Sequence, residues 1–187
     1  MHLPLCMRRG LRLPDFDYSS AGAYFVTITT NDRAQLLGEM GPAASVVLFD
    51  AGNMVDRWWR ELPEKFESVS LDAHVVMPDH FHGIVLLGFT VDSEGGCSVS
   101  LSRVVQWFKT MTTNEYFRRV RTDGWTPVCA KLWQRGFYDH IIRSEEDLLE
   151  IREYIEFNPG ALFERYAGRT HRSAPTNSFA RTNPLDR

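Results

Sequence analysis

The sequence has few cysteines, no long apolar run and no large excess of either charge. Its three cysteines are far apart and include no CxxC pair, which argues against a disulfide framework and a zinc-ribbon site. No run reaches the roughly 18 apolar residues of a membrane helix, so we expect a soluble protein with no membrane partner. The N-terminus is unlike a secretory signal, and the expected compartment is the cytoplasm. A net charge of −3 does not indicate a nucleic-acid binder by itself.

The charges that are present are unevenly distributed along the chain. Residues 103–121 carry five basic side chains against one acid, whereas 144–156 carries six acids against the single Arg152. A polyanion that binds this protein must therefore meet a local basic surface.

Periodicity and turn residues predict an alternation of strands and helices. The predicted strands are 22–30, 68–77, 80–89 and 137–143. The predicted helices are 49–62, ended by Pro63; 99–119, after a loop at 90–98; and a last helix capped by Ser144 and ended at Asn158 by Pro159.

This order predicts one domain of the α/β (α+β) class. A β-α-β-β-α-β sequence of elements is typical of a ferredoxin-like antiparallel sheet with helices on one face, to which a C-terminal helix is added. We place the domain at 1–167, with its core at about 20–160, because the chain is short for two domains. The polar segment 168–187 lacks periodicity and is predicted to be a disordered tail.

Two histidines stand in the apolar stretch VVMPDHFHGIVLL. Side chains at i and i+2 of a strand share a face, so His80 and His82 lie roughly 7 Å apart on one side and can converge on a divalent ion or a phosphate. Taken alone, the pair is equally compatible with two histidines bonded to carbonyls or water. His74 has the same parity, but Pro78 interrupts the register, and we expect a structural role for it.

A second pattern lies in EYIEFNP, near the end of the last predicted helix. Tyr154 and Asn158 are four residues apart and therefore lie on one helix face, a single turn from each other. Neighbouring leucines and isoleucines form an apolar stripe, so the alternative is that Tyr154 is a core aromatic residue.

Together, VVMPDHFHGIVLL and LWQRGFYDHIIRSEEDLLEIREYIEFNP resemble the single-tyrosine HUH transposases of the insertion-sequence-200-like group, especially the REP-associated tyrosine transposases. The resemblance covers roughly residues 10–165. It implies a DNA nickase and strand transferase that cleaves single-stranded DNA beside a palindromic hairpin through a 5′-phosphotyrosine. Histidine-triad nucleotide hydrolases also have alternating histidines, but Ile84 occupies the position of their nucleophilic histidine.

The resemblance also implies roles for individual residues. His80 and His82 would bind a divalent metal, Mg²⁺ or Mn²⁺, and Tyr154 would be the nucleophile. Asn158 would complete or support the coordination, and His140 would have a structural or DNA-contacting role. Asp79 stands where the resemblance leads us to expect Asn, and its carboxylate could support a metal ligand.

The implied partner is single-stranded or hairpin DNA, and the protein is expected to act as a monomer, with a dimer that exchanges the tyrosine helix as the alternative. The basic candidates for DNA contacts are Arg8, Arg9, Arg12, Arg118, Arg119 and Arg121. Each basic cluster is also compatible with a solvated surface.

Two other functions stay open at this point. The first is an inactive or domesticated relative that binds structured DNA or RNA without cutting it. The second is a metal-dependent hydrolase that acts on nucleotides and does not need Tyr154.

Overall fold

The structure is a computed structural model that describes residues 21–42, 45–88, 99–129 and 131–170, with side chains of the last helix described as far as Pro159. The strands are β1 (Gly22–Thr29), β2 (Gly38–Met40), β3 (Val46–Leu48), β4 (Val69–Met77), β5 (His80–Leu87) and β6 (Tyr138–Ile142). The helices are α1 (Asp50–Arg60), α2 (Leu62–Lys65), α3 (Leu101–Thr122) and α4 (Glu145–Thr170).

Four strands form one antiparallel sheet in the order β4-β5-β1-β6. The chain passes from β1 through α1 to the β4–β5 hairpin, and then through α3 to β6. This connectivity with this strand order is the ferredoxin-like arrangement, so the predicted fold is confirmed. A separate two-stranded sheet, β2–β3, precedes α1.

The two faces of the sheet are covered by different helices because side chains alternate along each strand. On β1, Tyr24, Val26 and Ile28 are buried in the larger core with residues of α1 and α3. Phe25 lies on the other face, in a smaller cluster with Ile151 and the rest of the apolar stripe of α4. The helix that carries Tyr154 therefore packs by itself on one face of the sheet.

The larger core depends on a close approach of α1 to β5. Trp59 is fully buried, and its ring lies 4.6 Å from that of Phe81. A Cβ atom on Gly83 would come within 2.6 Å of Cζ2 of Trp59, which is far inside van der Waals contact. Glycine at position 83 is therefore what lets the indole lie against the strand.

Two helix boundaries differ from the sequence prediction. Pro63 does not end α1 directly, since α1 ends at Arg60 and Pro63 lies in the first turn of α2, where its missing N–H costs nothing. The prediction that Pro159 ends the last helix was wrong, because α4 continues to Thr170. Pro159 removes one hydrogen bond of the helix and Gly160 has low helix propensity, but Ala161, Leu162, Glu164 and Arg165 after them are strong helix formers.

Two further predictions concern the ends of elements. Helix α4 includes 168–170, and 171–187 lies outside the described residues, so the disordered tail at 168–187 stays a prediction. The loop predicted at 90–98 also lies outside them. The β2–β3 hairpin was not predicted, because strands of three residues are too short to establish a period. Within the described part of the chain, no helix combines the length and apolarity needed to cross a membrane.

Candidate active site

Strand β5 carries both candidate histidines on the face that α4 covers. It pairs with β1 so that His80 lies opposite Thr29 and His82 lies opposite Thr27. The centroids of the two imidazole rings are 4.6 Å apart. Since their positions on the strand are roughly 7 Å apart, the rings converge on a common point.

His82 is buried, and only one of its ring nitrogens has a protein partner. Its Nδ1 atom lies 2.8 Å from the hydroxyl oxygen of Thr27, while its Nε2 atom is buried without a hydrogen-bond partner. Burial lowers the pKa of His82 well below its ordinary value, and the neighbouring His80 lowers it further. A neutral imidazole whose Nδ1–H donates to Thr27 presents the lone pair of Nε2 to an incoming group.

Asp79 connects the other histidine to the turn after β1. Its Oδ1 atom lies 2.5 Å from Nδ1 of His80, and its Oδ2 atom accepts a hydrogen bond from Arg33 at 3.2 Å. Burial acts to raise the pKa of Asp79, but the contacts with His80 and Arg33 outweigh it and hold that pKa below its usual value. A carboxylate bound to Nδ1 fixes the orientation of the His80 ring and leaves Nε2 for another partner.

The turn that carries Arg33 has an unusual backbone. Asp32 and Arg33 have φ angles of 54° and 53°, in the left-handed region that residues other than glycine rarely adopt. Thr30 donates its backbone N–H to the carbonyl oxygen of Asp79 at 2.9 Å, and its hydroxyl lies 2.9 Å from the same oxygen. These bonds hold the turn against the start of β5 and place Arg33 beside Asp79.

Helix α4 brings Tyr154 to the histidines. Its apolar residues Ile151 and Ile155 are buried against β1 and β5, and the Tyr154 ring then lies edge-on to His82 with the centroids 5.4 Å apart. Phe25 stacks on the ring of His82, with the centroids 5.3 Å apart, and lies edge-on to Tyr154 at 5.9 Å. One turn after Tyr154, Asn158 is 8% exposed, so an amide is buried on this side of the helix.

The donors at this place suit a divalent metal ion. The buried and unpartnered Nε2 of His82 is the type of atom that a metal satisfies, and His80 has the carboxylate–histidine contact common around metal ligands. Among the described residues no group of three or more His, Cys, Asp or Glu side chains is arranged to hold a metal. A site here would consist of two imidazoles with Asn158 as the third protein donor.

His74 lies on the opposite face of the sheet. The β4–β5 hairpin pairs Met77 with His80 and His74 with Gly83, so His74 shares the face of Gly83, away from His80 and His82. Nε2 of His74 lies 2.7 Å from Asp56 on α1, and its ring lies near Trp59. The expected structural role of His74 agrees with this position.

The candidate DNA contacts on α3 occupy a different face from Tyr154. Arg118 and Arg121 are exposed, although Arg118 lies 3.5 Å from Glu115. Arg119 is paired with Asp123 at 2.5 Å and lies 3.6 Å from Glu115. His140 on β6 lies 3.0 Å from Asp147, in the first turn of α4. The arginines predicted at positions 8, 9 and 12 lie outside the described residues.

Sequence reasoning missed several side chains around the histidines. Thr27 and Phe25 lie within a strand whose pattern predicts alternation but says nothing about its partner strand. Arg33 belongs to a turn, and only the sequence NDR marked that turn. Asp79 stands out in the sequence because the family resemblance leads us to expect Asn at that position. Its contact with His80 depends on the geometry of the hairpin turn.

This chain is similar to one known protein family and to two proteins of Haemophilus influenzae. The family described as Transposase IS200 like matches residues 50–158. An uncharacterized protein of Haemophilus influenzae is 34% identical over 161 residues, which cover 81% of this chain and 88% of that protein. A second protein of the same organism, assigned to the REP-associated tyrosine transposases, is 25% identical over 145 residues, covering 76% and 73%.

A solved structure has a similar fold. It is a REP-associated tyrosine transposase bound to a REP hairpin, and it is 19% identical to this chain. The superposition has a TM-score of 0.50 and covers 89% of this chain and 93% of the other.

Proposed function

This chain belongs to the IS200-like transposase family, and on that basis we propose that it is a metal-dependent single-stranded DNA endonuclease and strand transferase with Tyr154 as its nucleophile. One observation carries the assignment of the site. The Tyr154 ring lies 5.4 Å from the ring of His82, and Nε2 of His82 is buried without a protein partner. A phenol beside an unsatisfied ligand atom suits metal-assisted covalent cleavage of a phosphodiester.

The protein residues would hold and orient the metal. His80 and His82 would supply Nε2 atoms, with Asn158 as the third donor, and Mg²⁺ or Mn²⁺ is the proposed ion. When bound, the ion neutralises the anionic oxygens of the scissile phosphate and favours loss of the phenol proton. Thr27 and Asp79 each occupy one Nδ1 atom, so both rings are fixed with Nε2 available.

The chemistry assigned to Tyr154 conserves the phosphodiester. Its Oη atom attacks the phosphorus, the bond from phosphorus to the 3′ oxygen breaks, and the leaving oxygen takes a proton to become a 3′-hydroxyl. The 5′ end remains attached to Tyr154 as a phosphotyrosine. A 3′-hydroxyl of the same or another strand can attack this linkage and release the phenol, so joining requires no ATP.

We propose that the substrate is single-stranded DNA next to a hairpin. The protein of similar fold was solved with a REP hairpin, which supports a structured DNA partner here. Tyr154 lies close to His82 of its own chain, and this supports catalysis by a monomer. Arg118 and Arg121 remain the proposed phosphate contacts among the described residues, since they are exposed.

The test is a covalent capture assay. The protein is incubated with a hairpin oligonucleotide that carries single-stranded flanks and a label at each end, with and without Mn²⁺. We expect a metal-dependent adduct that survives denaturation and retains the label on the 3′ side of the break, mapped to Tyr154 by mass spectrometry. No adduct with any flanking sequence would contradict the proposal.

A matched tyrosine separates the nucleophile from its surroundings. Tyr138 on β6 packs in the same cluster as Tyr154, so Tyr138→Phe should keep the adduct while Tyr154→Phe loses it and still binds the hairpin. Hairpin binding without cleavage by the unmodified protein would indicate the non-cutting binder. Turnover that survives Tyr154→Phe but not His80→Ala would indicate the nucleotide hydrolase.

A further inference from the structure

Strand β4 has a bulge directly beneath the helix that carries Tyr154. Leu71 pairs with Val85 and His74 pairs with Gly83, so Asp72 and Ala73 together lie opposite the single residue Ile84. Two residues against one is the geometry of a β-bulge, which bends the strand and redirects its side chains. Ala73 lies on the same face as Val75, in the apolar cluster under α4. The residue that the bulge redirects is Asp72, which in a regular ladder would pair with Val85 on the α1 face.

The redirected carboxylate holds the helix through a two-point ion pair. Nε of Arg152 donates to Oδ1 of Asp72 at 2.9 Å, and Nη2 donates to Oδ2 at 2.6 Å. The backbone N–H of Ala73 lies 2.6 Å from Oδ1, so the bulge itself orients the acceptor. Arg152 is the only basic residue between 144 and 158, in a stretch with six acids.

A second contact holds the opposite flank of α4. Asp147 accepts from His140 on β6 at 3.0 Å and from the backbone N–H of Arg143 at 3.2 Å. With 3.6 residues per turn, Asp147 lies within about 20° of Tyr154 around the helix axis, whereas Arg152 lies about 160° away. The two contacts therefore act on opposite sides of the helix and resist its rotation.

Rotation is the movement to which a tyrosine nucleophile is most sensitive. The Cα atoms of a helix lie about 2.3 Å from its axis, so the hydroxyl of an extended tyrosine is about 9 Å away and moves about 1.5 Å when the helix turns by 10°. A displacement of about 1 Å can cost about a hundredfold in rate. The apolar contacts of Ile151 and Ile155 are not directional and fix the rotation less strictly.

We propose that Asp72 and Arg152 are a positioning pair that fixes the rotation of α4 and thereby aims Tyr154 at the His80–His82 site. This inference rests on the proposed function for its catalytic consequence. Arg152 is exposed, and ion pairs of that kind contribute little to global stability. The pair therefore acts on the geometry of the nucleophile more than on the stability of the fold.

The test compares Asp72→Asn and Arg152→Gln with Arg60→Gln. Arg60 forms a similar two-point pair with Asp56, but on α1 at the other face of the sheet. We call Asp72→Asn and Arg152→Gln the clamp variants. In single-turnover adduct assays at saturating hairpin, we expect the rate of adduct formation to fall about tenfold or more in both of them. The hairpin concentration for half-maximal rate should stay within about twofold in all variants, since neither side chain is placed on DNA.

Amide hydrogen exchange of residues 145–158 gives a readout that needs no chemistry. We expect faster exchange there in Asp72→Asn and Arg152→Gln and no change in Arg60→Gln. Unchanged rate in the clamp variants, or a raised half-maximal concentration with an unchanged saturating rate, would overturn the positioning role while leaving the proposed function intact. If the unmodified protein forms no adduct, the proposed function fails. Unchanged hydrogen exchange in both clamp variants would separately contradict the proposal that Asp72 and Arg152 fix the rotation of α4.

Discussion

The hydroxyl of Thr27 lies 2.8 Å from Nδ1 of His82, across two paired strands and 55 residues apart in sequence. The contact selects which ring nitrogen of His82 remains for another partner. It also engages the hydroxyl oxygen, the only polar atom of the Thr27 side chain.

We therefore expect Thr27→Val to weaken metal binding about tenfold, because the isosteric methyl group leaves the His82 ring without an acceptor for Nδ1–H. Thr27→Ser keeps the hydroxyl and should bind like the unmodified protein. Calorimetric titration with Mn²⁺ measures both. Equal affinity in the valine and serine variants would show that Thr27 does not orient the ring.

Asp79 should matter through its contact with His80 more than through its charge. Asp79→Ala removes the acceptor for Nδ1 and the partner of Arg33, and we expect about a tenfold loss of Mn²⁺ affinity. Asp79→Asn keeps a carbonyl oxygen that can accept from Nδ1–H, so its Mn²⁺ affinity should lie between those of the unmodified protein and the alanine variant. The prediction fails if the alanine variant binds Mn²⁺ as tightly as the asparagine variant.

Gly83→Ala should destabilise the fold by about 1–3 kcal/mol, since the new methyl group overlaps the buried ring of Trp59. Gly88→Ala is the matched control, because a Cβ atom there meets only the carbonyl oxygen of Ser68 at 3.4 Å. Urea unfolding gives both free energies. A loss at position 83 no larger than at position 88 would contradict the packing argument.

The lowered pKa of Lys109 predicts that the free energy of unfolding depends on pH in the alkaline range. Burial lowers its pKa from 10.5 to about 8, while its ammonium donates to the carbonyl oxygens of Gln134 and Gly136. Between those two values the unfolded chain binds more protons, so the free energy of unfolding gains a positive slope with pH.

The measurement is the difference in the free energy of unfolding between the unmodified protein and Lys109→Met. Its constant part, from the lost hydrogen bonds, does not depend on pH. From pH 7.5 to 9.5 we expect the difference to shift by on the order of 1 kcal/mol in favour of the lysine, allowing for solvent screening of a partly exposed group. A flat difference across this range would place the pKa of Lys109 outside it.

Local patterns were sufficient for the fold and for which candidate residues share a face. Alternation in HFH put His80 and His82 on one face, and the four-residue spacing put Tyr154 and Asn158 on one helix side. Both arrangements follow from backbone geometry within a single element. The order of strands and helices likewise restricted the topology to a ferredoxin-like sheet, because few connections of that order are allowed.

Local reasoning failed where two terms compete within one segment. Pro159 removes one hydrogen bond of the helix, but most residues after Gly160, such as Ala161, Leu162 and Glu164, have high helix propensity. Helix α4 continues to Thr170. For Arg119, composition shows a charge but not its partners. Glu115, one turn earlier on α3, and Asp123, the residue that follows the helix, both pair with it.

The sequence by itself determined which side chains share a face of a strand or helix, since that depends on fixed periods of the backbone. Only the tertiary structure decided which faces meet. The β4–β5 hairpin, in which Met77 pairs with His80, put His74 on the α1 face, the β1–β5 register put Thr27 on His82, and the packing of α4 brought Tyr154 to the same point. These relationships join residues far apart in the chain, and they depend on strand register and side-chain packing, which no local period encodes.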